Sequence, residues 1–302
     1  MTKQRLVSVV VVSYNAEDTV LETLNSVLNQ TYQNVELVLS DDCSKDNTVE
    51  VARKWFDENS AAFKGGAHML TAEKNQGVCA NFNKAIRSAK GEWIKIIAAD
   101  DILLPNCCAD YINFVNHHTE AHFVTGNIDV YNESFNEGNL LEKGKQAAPP
   151  SVYELTVKEQ LRIAAKAMIV SGAAVFYSKT LFDDINGYNE EYPFEDWPSV
   201  ISALEHGYKI YHLCKSTVGY RYHSSLSNKS GKLFNIIFRR KIRLFFKREC
   251  FKYLDKRSII LMKSQWLLEE VLDFFCLNRN NIIGNKIMNI LVGLKKKGKS
   301  NV

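Results

Sequence analysis

The chain has 302 residues, 46% of them hydrophobic, 11% aromatic and 24% charged, with only 15 Gly and 5 Pro. That length suits one large domain or two units with a sizeable core, and the composition excludes a disordered tail, a collagen-like fibre and a Pro/Gly linker. The net charge of +4 conceals a division: residues 1–229 carry 21 Lys and Arg against 29 Asp and Glu (−8), and residues 230–302 carry 17 against 5 (+12). A break of that size sets the expected boundary near Gly231, between a catalytic-type domain over residues 1–229 and a basic, mostly helical region over residues 230–302. Seven Cys, an odd number without a CxxC pair, predict buried free thiols in a reducing compartment.

In chain order, residues 6–12 (LVSVVVV) read as a strand buried on both faces. Glu17 and Asp18 open a helix with Val20, Leu21, Leu24, Val27 and Leu28 on one stripe. Residues 35–39 form a second strand, ending in Ser40-Asp41-Asp42, and Asp46 caps a helix that turns Val49, Ala52, Trp55 and Phe56 inward. Residues 68–71 are a weak third strand, 78–89 a helix stopped by Gly91, and 93–98 a fourth strand ending in Asp100-Asp101. Pro105 lies near the start of the next helix, and residues 123–131 are another strand. Strand and helix alternate with short connections, which predicts an α/β fold, a doubly wound and mainly parallel sheet. Residues 132–151 are polar and end in Pro149-Pro150, so they read as a loop or a small excursion over the sheet.

Open α/β sheets bind ligands beyond the carboxyl ends of their strands. Four polar groups fall there: Ser13-Tyr14-Asn15, Asp41-Asp42, Asn75-Gln76-Gly77 and Asp100-Asp101. No GxGxxG follows the first strand and no GxxxxGK[ST] occurs, so a nucleotide has to be held by side chains and a metal. Asp100-Asp101 supplies adjacent carboxylates for Mg2+ or Mn2+, a cation that completes its shell with water and substrate phosphates. Glu195-Asp196 lies among Pro193, Phe194, Trp197 and Pro198, a setting that lifts a carboxyl pKa and fixes its direction. The same residues also suit a helix start, with Asp196 as cap of a helix from Trp197 to Glu205.

These segments, over residues 6 to about 223, resemble the family-2 inverting glycosyltransferases of the GT-A fold, of the kind that builds bacterial O-antigen, capsule and other surface polysaccharides. Val9-Val10-Val11-Val12-Ser13-Tyr14-Asn15 is similar to the family's first strand and nucleotide turn, and Ser40 to Thr48 to its D-D-x-S-x-D-x-T element. Asn75-Gln76-Gly77-Val78 with Asn83, then Ala89-Lys90-Gly91-Glu92-Trp93-Ile94, resembles its N-x-G and A-x-G-E-[YW]-I segments. Asp100-Asp101 followed by Glu195-Asp196 resembles its metal pair and base motif. The resemblance implies that Asp42 recognises the base with Tyr14 beside it, that Ser13, Asn15 and Asn75 belong to the nucleotide site, and that Asp100 meets the ribose side. It further implies that Asp101 holds the metal, that Asp196 is the general base with Glu195 and Trp197 at the acceptor, and that His223 meets the metal or diphosphate. Ala98 stands where the family often has the first Asp of D-x-D-D, so metal binding rests mainly on Asp101. Phe82-Asn83 stands where Arg-Asn is frequent, so one cation that helps hold phosphates is missing.

The implied activity is hexosyl or N-acetylhexosaminyl transfer from a nucleotide sugar, with UDP-sugars foremost, to a glycan or lipid-linked acceptor. The alternative of the same fold is an inactive nucleotide-sugar-binding scaffold, against which the joint presence of Asp42, Asp101 and Asp196 argues. Residues 232–257 interleave bases with large apolar groups: Phe234, Phe238, Ile242 and Phe245 share one helical face, and Arg239, Arg243 and Lys247 another. That pattern predicts an interfacial helix on an anionic membrane surface, or else a packed helix with a solvated basic face. Nucleic acid is not an expected partner, because no binding module accompanies the charge. The N-terminus carries no signal-peptide pattern and no apolar run reaches ~18 residues. The expected location is cytoplasmic, peripheral on the cytoplasmic face of the inner membrane.

Overall fold

A computed structural model describes residues 4–222 and 235–275. The chain divides into two compact units between Tyr222 and His223. The predicted break near Gly231 lies outside the described residues, as do His223 and Phe234.

The first unit is built on one sheet. Its opening strands are β1 (Val7–Ser13), β2 (Val35–Asp41), β3 (Ala67–Thr71) and β4 (Trp93–Ala98). Between them run α1 (Val20–Leu28), α2 (Thr48–Asn59) and α3 (Val78–Ser88). Then follow β5 (Ile102–Leu103), α4 (Cys107–His117) and β6 (Phe123–Asn132). β1 and β2 are buried along their whole length, which is why their sequences are continuous β-branched runs rather than alternating ones.

Residues 132–151 hold more than a loop. A short 3-10 turn leads into β7 (Leu140–Lys145), which pairs antiparallel with β6. Its Glu142, Lys143 and Lys145 are exposed, as suits an unshared edge, so no apolar alternation announces it. Beyond it lie α5 (Ser151–Glu154), α6 (Val157–Ala164), β8 (Val175–Ser178), α7 (Lys179–Asp184), α8 (Asp196–Glu205) and β9 (Ile210–Tyr222). The Thr156/Glu159 capping box starts α6.

The sheet order is β3-β2-β1-β4-β8-β6-β9-β5, with β7 on β6. β3, β2, β1 and β4 are mutually parallel, as are β6 and β9, while β8 joins the two groups antiparallel. The parallel ladders contain most of the paired residues, so the sheet is mixed but mainly parallel. Below the strand ends, Trp93, Phe176 and Tyr111 stack at 5.0 and 4.7 Å, joining β4, β8 and α4.

The second unit contains α9 (Ile236–Phe245), a π-helical turn over Phe246–Cys250, and α10 (Lys256–Phe274). Asn235 caps α9 and Asp255 caps α10. Phe245 and Phe246 are buried, and Trp266 of α10 packs against Phe246 and Phe251. The C-terminal part of the predicted interfacial face therefore turns inward, while Arg239, Arg240, Lys241 and Lys247 keep their charge at or near the surface. Among the described residues no helix is long and apolar enough to cross a membrane. Cys79, Cys107, Cys108 and Cys250 are buried free thiols, whereas Cys43 is half-buried and Cys214 exposed.

Candidate functional site

β1 and β2 end in register, Ser13 opposite Asp41. The Ser13 hydroxyl donates to Asp41 at 2.8 Å, and Asp41 also accepts from the Ser44 amide and hydroxyl. Ser13 and Asp41 are buried, so they hold the turn rather than face a ligand. Asn15 adopts a left-handed φ of 51°, a conformation Asn tolerates, and its side-chain Oδ1 accepts from the Lys45 amide at 2.8 Å. This stitching leaves the Tyr14 ring half-exposed at the sheet rim.

Asp42 accepts from the amides of Gln76 and Gly77, both at 2.8 Å. It therefore fixes the turn that opens α3, where Gly77 takes a φ of 92° that favours glycine. Each carboxylate oxygen still has accepting capacity. Asn75, on the same turn, is exposed.

α3 reaches from that turn to the second acidic motif. Asn83 donates to the Tyr188 carbonyl at 2.9 Å and to Glu190 at 2.8 Å, and accepts from the Tyr188 amide. The Cys79 thiol donates to the Tyr192 carbonyl at 3.3 Å. These bonds suspend residues 188–192, which lead into Glu195-Asp196 at the start of α8. Burial, with the Asp196 carboxylate adding to it, pushes Glu195 up to about 7. Burial also raises Asp196, whose carboxylate accepts from the Trp197 amide at 2.7 Å. The Trp197 indole N–H is used on the Ala164 carbonyl at 2.7 Å, which fixes the ring beside the acids.

A second support reaches Asp196 from below. A Cβ at Gly172 would lie 3.2 Å from Asp196 Cβ, so the absent side chain makes room for the acid. The 172–174 turn is clamped twice. The Lys95 ammonium donates to the Ala173 carbonyl at 2.6 Å, and the Tyr111 hydroxyl to the Ala174 carbonyl at 2.5 Å. Lys95 is buried in β4, and desolvation pushes its pKa down.

β4 ends at Asp100-Asp101. Asp101 is buried and accepts from the Arg221 amide at 2.8 Å, while the Arg221 guanidinium donates to the Asp100 carbonyl at 2.9 Å, pairs with Glu22 and lies over the Phe135 ring at 4.3 Å. Burial, then the Asp100 charge, drives the Asp101 carboxyl well above the usual range, with the Arg221 amide and the Lys95 charge opposing. Tyr220, one residue along β9, is pushed up to about 12 by burial and by the charges of Asp101, Asp100 and Asp196. The charges of both acidic motifs, about 95 residues apart in the chain, thus bear on one phenol. Cys79 on α3 is raised to about 12 by burial and then by Glu195, Glu190 and Asp196. The rim therefore runs from Asp42 through α3 to Glu195-Asp196 and Tyr220, and on to Asp100-Asp101.

Residues 8–185 match the family model described as Glycosyl transferase family 2. The chain belongs to that family. Among its relatives is the UDP-Glc:alpha-D-GlcNAc-diphosphoundecaprenol beta-1,3-glucosyltransferase WfaP of Escherichia coli, 26% identical over 84% of this chain and 99% of that protein. The putative teichuronic acid biosynthesis glycosyltransferase TuaG of Bacillus subtilis is also 26% identical, over 86% of this chain and 92% of that protein. The crystal structure of S. aureus TarS 1-349 in complex with UDP-GlcNAc has the same fold: TM-score 0.60 at 20% identity, covering 87% of this chain and 71% of that one. The mannosyltransferase PcManGT from Pyrobaculum calidifontis, in complex with GDP-Man and Mn2+, gives a TM-score of 0.51 at 20% identity, over 70% of this chain and 55% of that one. The α/β, GT-A fold expected from the family-2 resemblance is the fold observed.

In this glycosyltransferase the adjacent Asp100-Asp101 pair is an all-oxygen, hard donor set of the kind that fits a divalent cation. Among the described residues no three His, Cys, Asp or Glu side chains converge as a metal site. Lys95, Gly172, Tyr220 and Arg221 were not singled out from the sequence. Lys95 interrupts an otherwise apolar strand, WIKIIA, and that interruption was the available signal. Arg221 lies two residues before His223 and carried no signal of its own, because its partners come from Glu22, Asp100 and Phe135.

Proposed function

We propose that this glycosyltransferase is inverting and cation-dependent. It moves a hexosyl or N-acetylhexosaminyl group from a UDP-sugar to a hydroxyl of a glycan or lipid-linked oligosaccharide in cell-surface polysaccharide synthesis. The observation that carries the reading is that α3 joins Asp42, at its start, to residues 188–192 that lead into Glu195-Asp196, while the charges of Asp100, Asp101 and Asp196 all bear on Tyr220. The names of the relatives support the substrate class: WfaP is named for UDP-Glc and a diphosphoundecaprenol acceptor, and TarS is crystallised with UDP-GlcNAc.

Asp42 and Asn75, with Ser13, Tyr14 and Asn15 shaping the turn, receive the nucleotide, and Asp100 meets its ribose side. Asp101 would hold Mn2+ or Mg2+, and the cation would supply neutralising charge at the departing diphosphate. Asp196 takes the acceptor proton as the new bond forms at the anomeric carbon, from the face opposite the leaving diphosphate, so the configuration inverts. Burial raises its pKa, which favours acceptance of a proton. Glu195 and Trp197 border the acceptor, and the Gly172 turn keeps Asp196 aimed. The basic region at residues 232–257 attracts an anionic membrane surface, at about 1 kcal/mol per basic residue, on the cytoplasmic face where lipid-linked acceptors are met.

A panel of nucleotide sugars, scored by release of nucleoside diphosphate with and without a diphosphoundecaprenol-linked acceptor, tests the proposal. Acceptor-dependent UDP release is expected with a UDP-sugar. Release of pyrophosphate, or no nucleotide release with any donor, contradicts it.

A further inference from the structure

α10 turns Glu269 and Glu270 inward beside Leu272 and Trp266, and leaves a broad apolar face outward. On the inner side, Glu269 is buried and paired with Arg243 at 2.8 Å, and Glu270 takes two bonds from Arg240 at 3.0 and 2.6 Å. On the outer side, Ile260, Leu267 and Phe274 repeat every seven residues, and Leu261, Leu268 and Phe275 repeat beside them. Leu267 is 67% exposed, Phe274 81% and Phe275 64%. A helix whose only task was to pack on α9 would reverse this distribution. Contiguous apolar exposure of this kind marks an interaction surface.

Three features choose the occupant. First, at 100° per residue the six side chains span roughly 140° of the helix, broader than the two-position seam of a paired coiled coil. Second, Glu269 and Glu270 are tied to arginines of α9, so they do not offset charge on the outer side. Third, the charges left in or beside the apolar arc are Lys256, Arg257 and Lys263, all exposed. A second copy would bring those like charges together, whereas anionic headgroups neutralise them.

We propose that the outward face of α10 lies in the plane of an anionic phospholipid bilayer, with Leu267, Phe274 and Phe275 among the acyl chains and Lys256, Arg257 and Lys263 at the phosphates. The inference deepens the membrane reading of the basic region and rests on it. It moves the inserted surface from residues 232–257, where Phe245 and Phe246 are buried, to α10.

The test is flotation of the full chain with phosphatidylcholine vesicles, alone or mixed with phosphatidylglycerol, at low and high salt. The intact protein is expected to float with the mixed vesicles and to keep part of that binding at high salt, since acyl insertion is not screened. The combined Leu267→Ser, Phe274→Ser, Phe275→Ser variant is expected to partition about tenfold less or worse, with unchanged circular dichroism because the three side chains are exposed. If that variant floats like the parent and salt removes all binding, the contact is electrostatic alone: the inserted face is wrong and the membrane reading stands. If the parent floats with neither vesicle, both fall. If light scattering finds a dimer that the triple substitution makes monomeric, the face belongs to a second copy and the proposal is overturned.

Discussion

The two units treat buried charge in opposite ways. In residues 4–222 the buried Lys95 meets carbonyls rather than a carboxylate, and the acids at the rim crowd one another. In residues 235–275 the buried charge is matched, Arg243 with Glu269 and Glu270. Matched buried ions are an architectural device, and removing one partner leaves a costly unpaired charge. Unmatched carboxyls with raised pKa values, gathered on one rim, mark chemistry.

Substitutions on the two sides sharpen or break that contrast. The largest effect is expected at Asp196, the proposed base. Asp196→Asn is expected to lower transfer by about 10³-fold, within the range for general-base loss, while calorimetry shows donor binding retained; normal turnover would remove the assigned role. Next, Glu269→Ala is expected to destabilise by about 2 kcal/mol in urea unfolding, because Arg243 loses one of its two carboxylate partners and keeps Glu270, with UDP binding intact. A loss under about 0.5 kcal/mol, the size of a typical surface pair, would show the pair to be solvated. Lys95→Met keeps the side chain's bulk but frees the Ala173 carbonyl and the turn behind Asp196. It is expected to lower kcat by about tenfold with little change in KM. A rise in KM alone would assign Lys95 to binding.

The smallest effect is in pH. The Glu195 carboxyl, lifted to about 7 from 4.5, holds its proton in the folded chain over a range where the unfolded chain has lost it. Its contribution to stability therefore falls as pH rises from about 4.5 to about 7. Transfer should rise with pH as Asp196, raised by burial, loses its proton, because the proposed base must be free of it. Glu195→Gln is expected to move the midpoint of the rate profile below that of the parent, and an unmoved midpoint would uncouple the two acids.

The strands that carry the site were legible because burial on both faces leaves continuous β-branched runs, as in β1 and β2. β7 and β9 were not. β7 is a charged edge, and β9 (IYHLCKSTVGYRY) mixes polar side chains into a long ladder with β6. The acids at the strand ends were visible as motifs. Their supports were not, because Asn83 with Tyr188, Gly172 with Asp196 and Lys95 with Ala173 are tertiary contacts, and the chain order does not disclose which residue meets which. Asp42 and Ser13 show the converse limit: a motif names the residue but does not disclose that it also fastens a turn.

The central claim is that carboxylates distant in sequence hold one sugar nucleotide through a shared cation. Calorimetric titration with UDP, with and without Mn2+, on the parent and on Asp101→Ala tests it most directly. The parent is expected to bind UDP far more tightly with Mn2+ present, and Asp101→Ala to lose that enhancement while keeping the weak metal-free binding. An enhancement that survives in Asp101→Ala, or is absent from the parent, would contradict it.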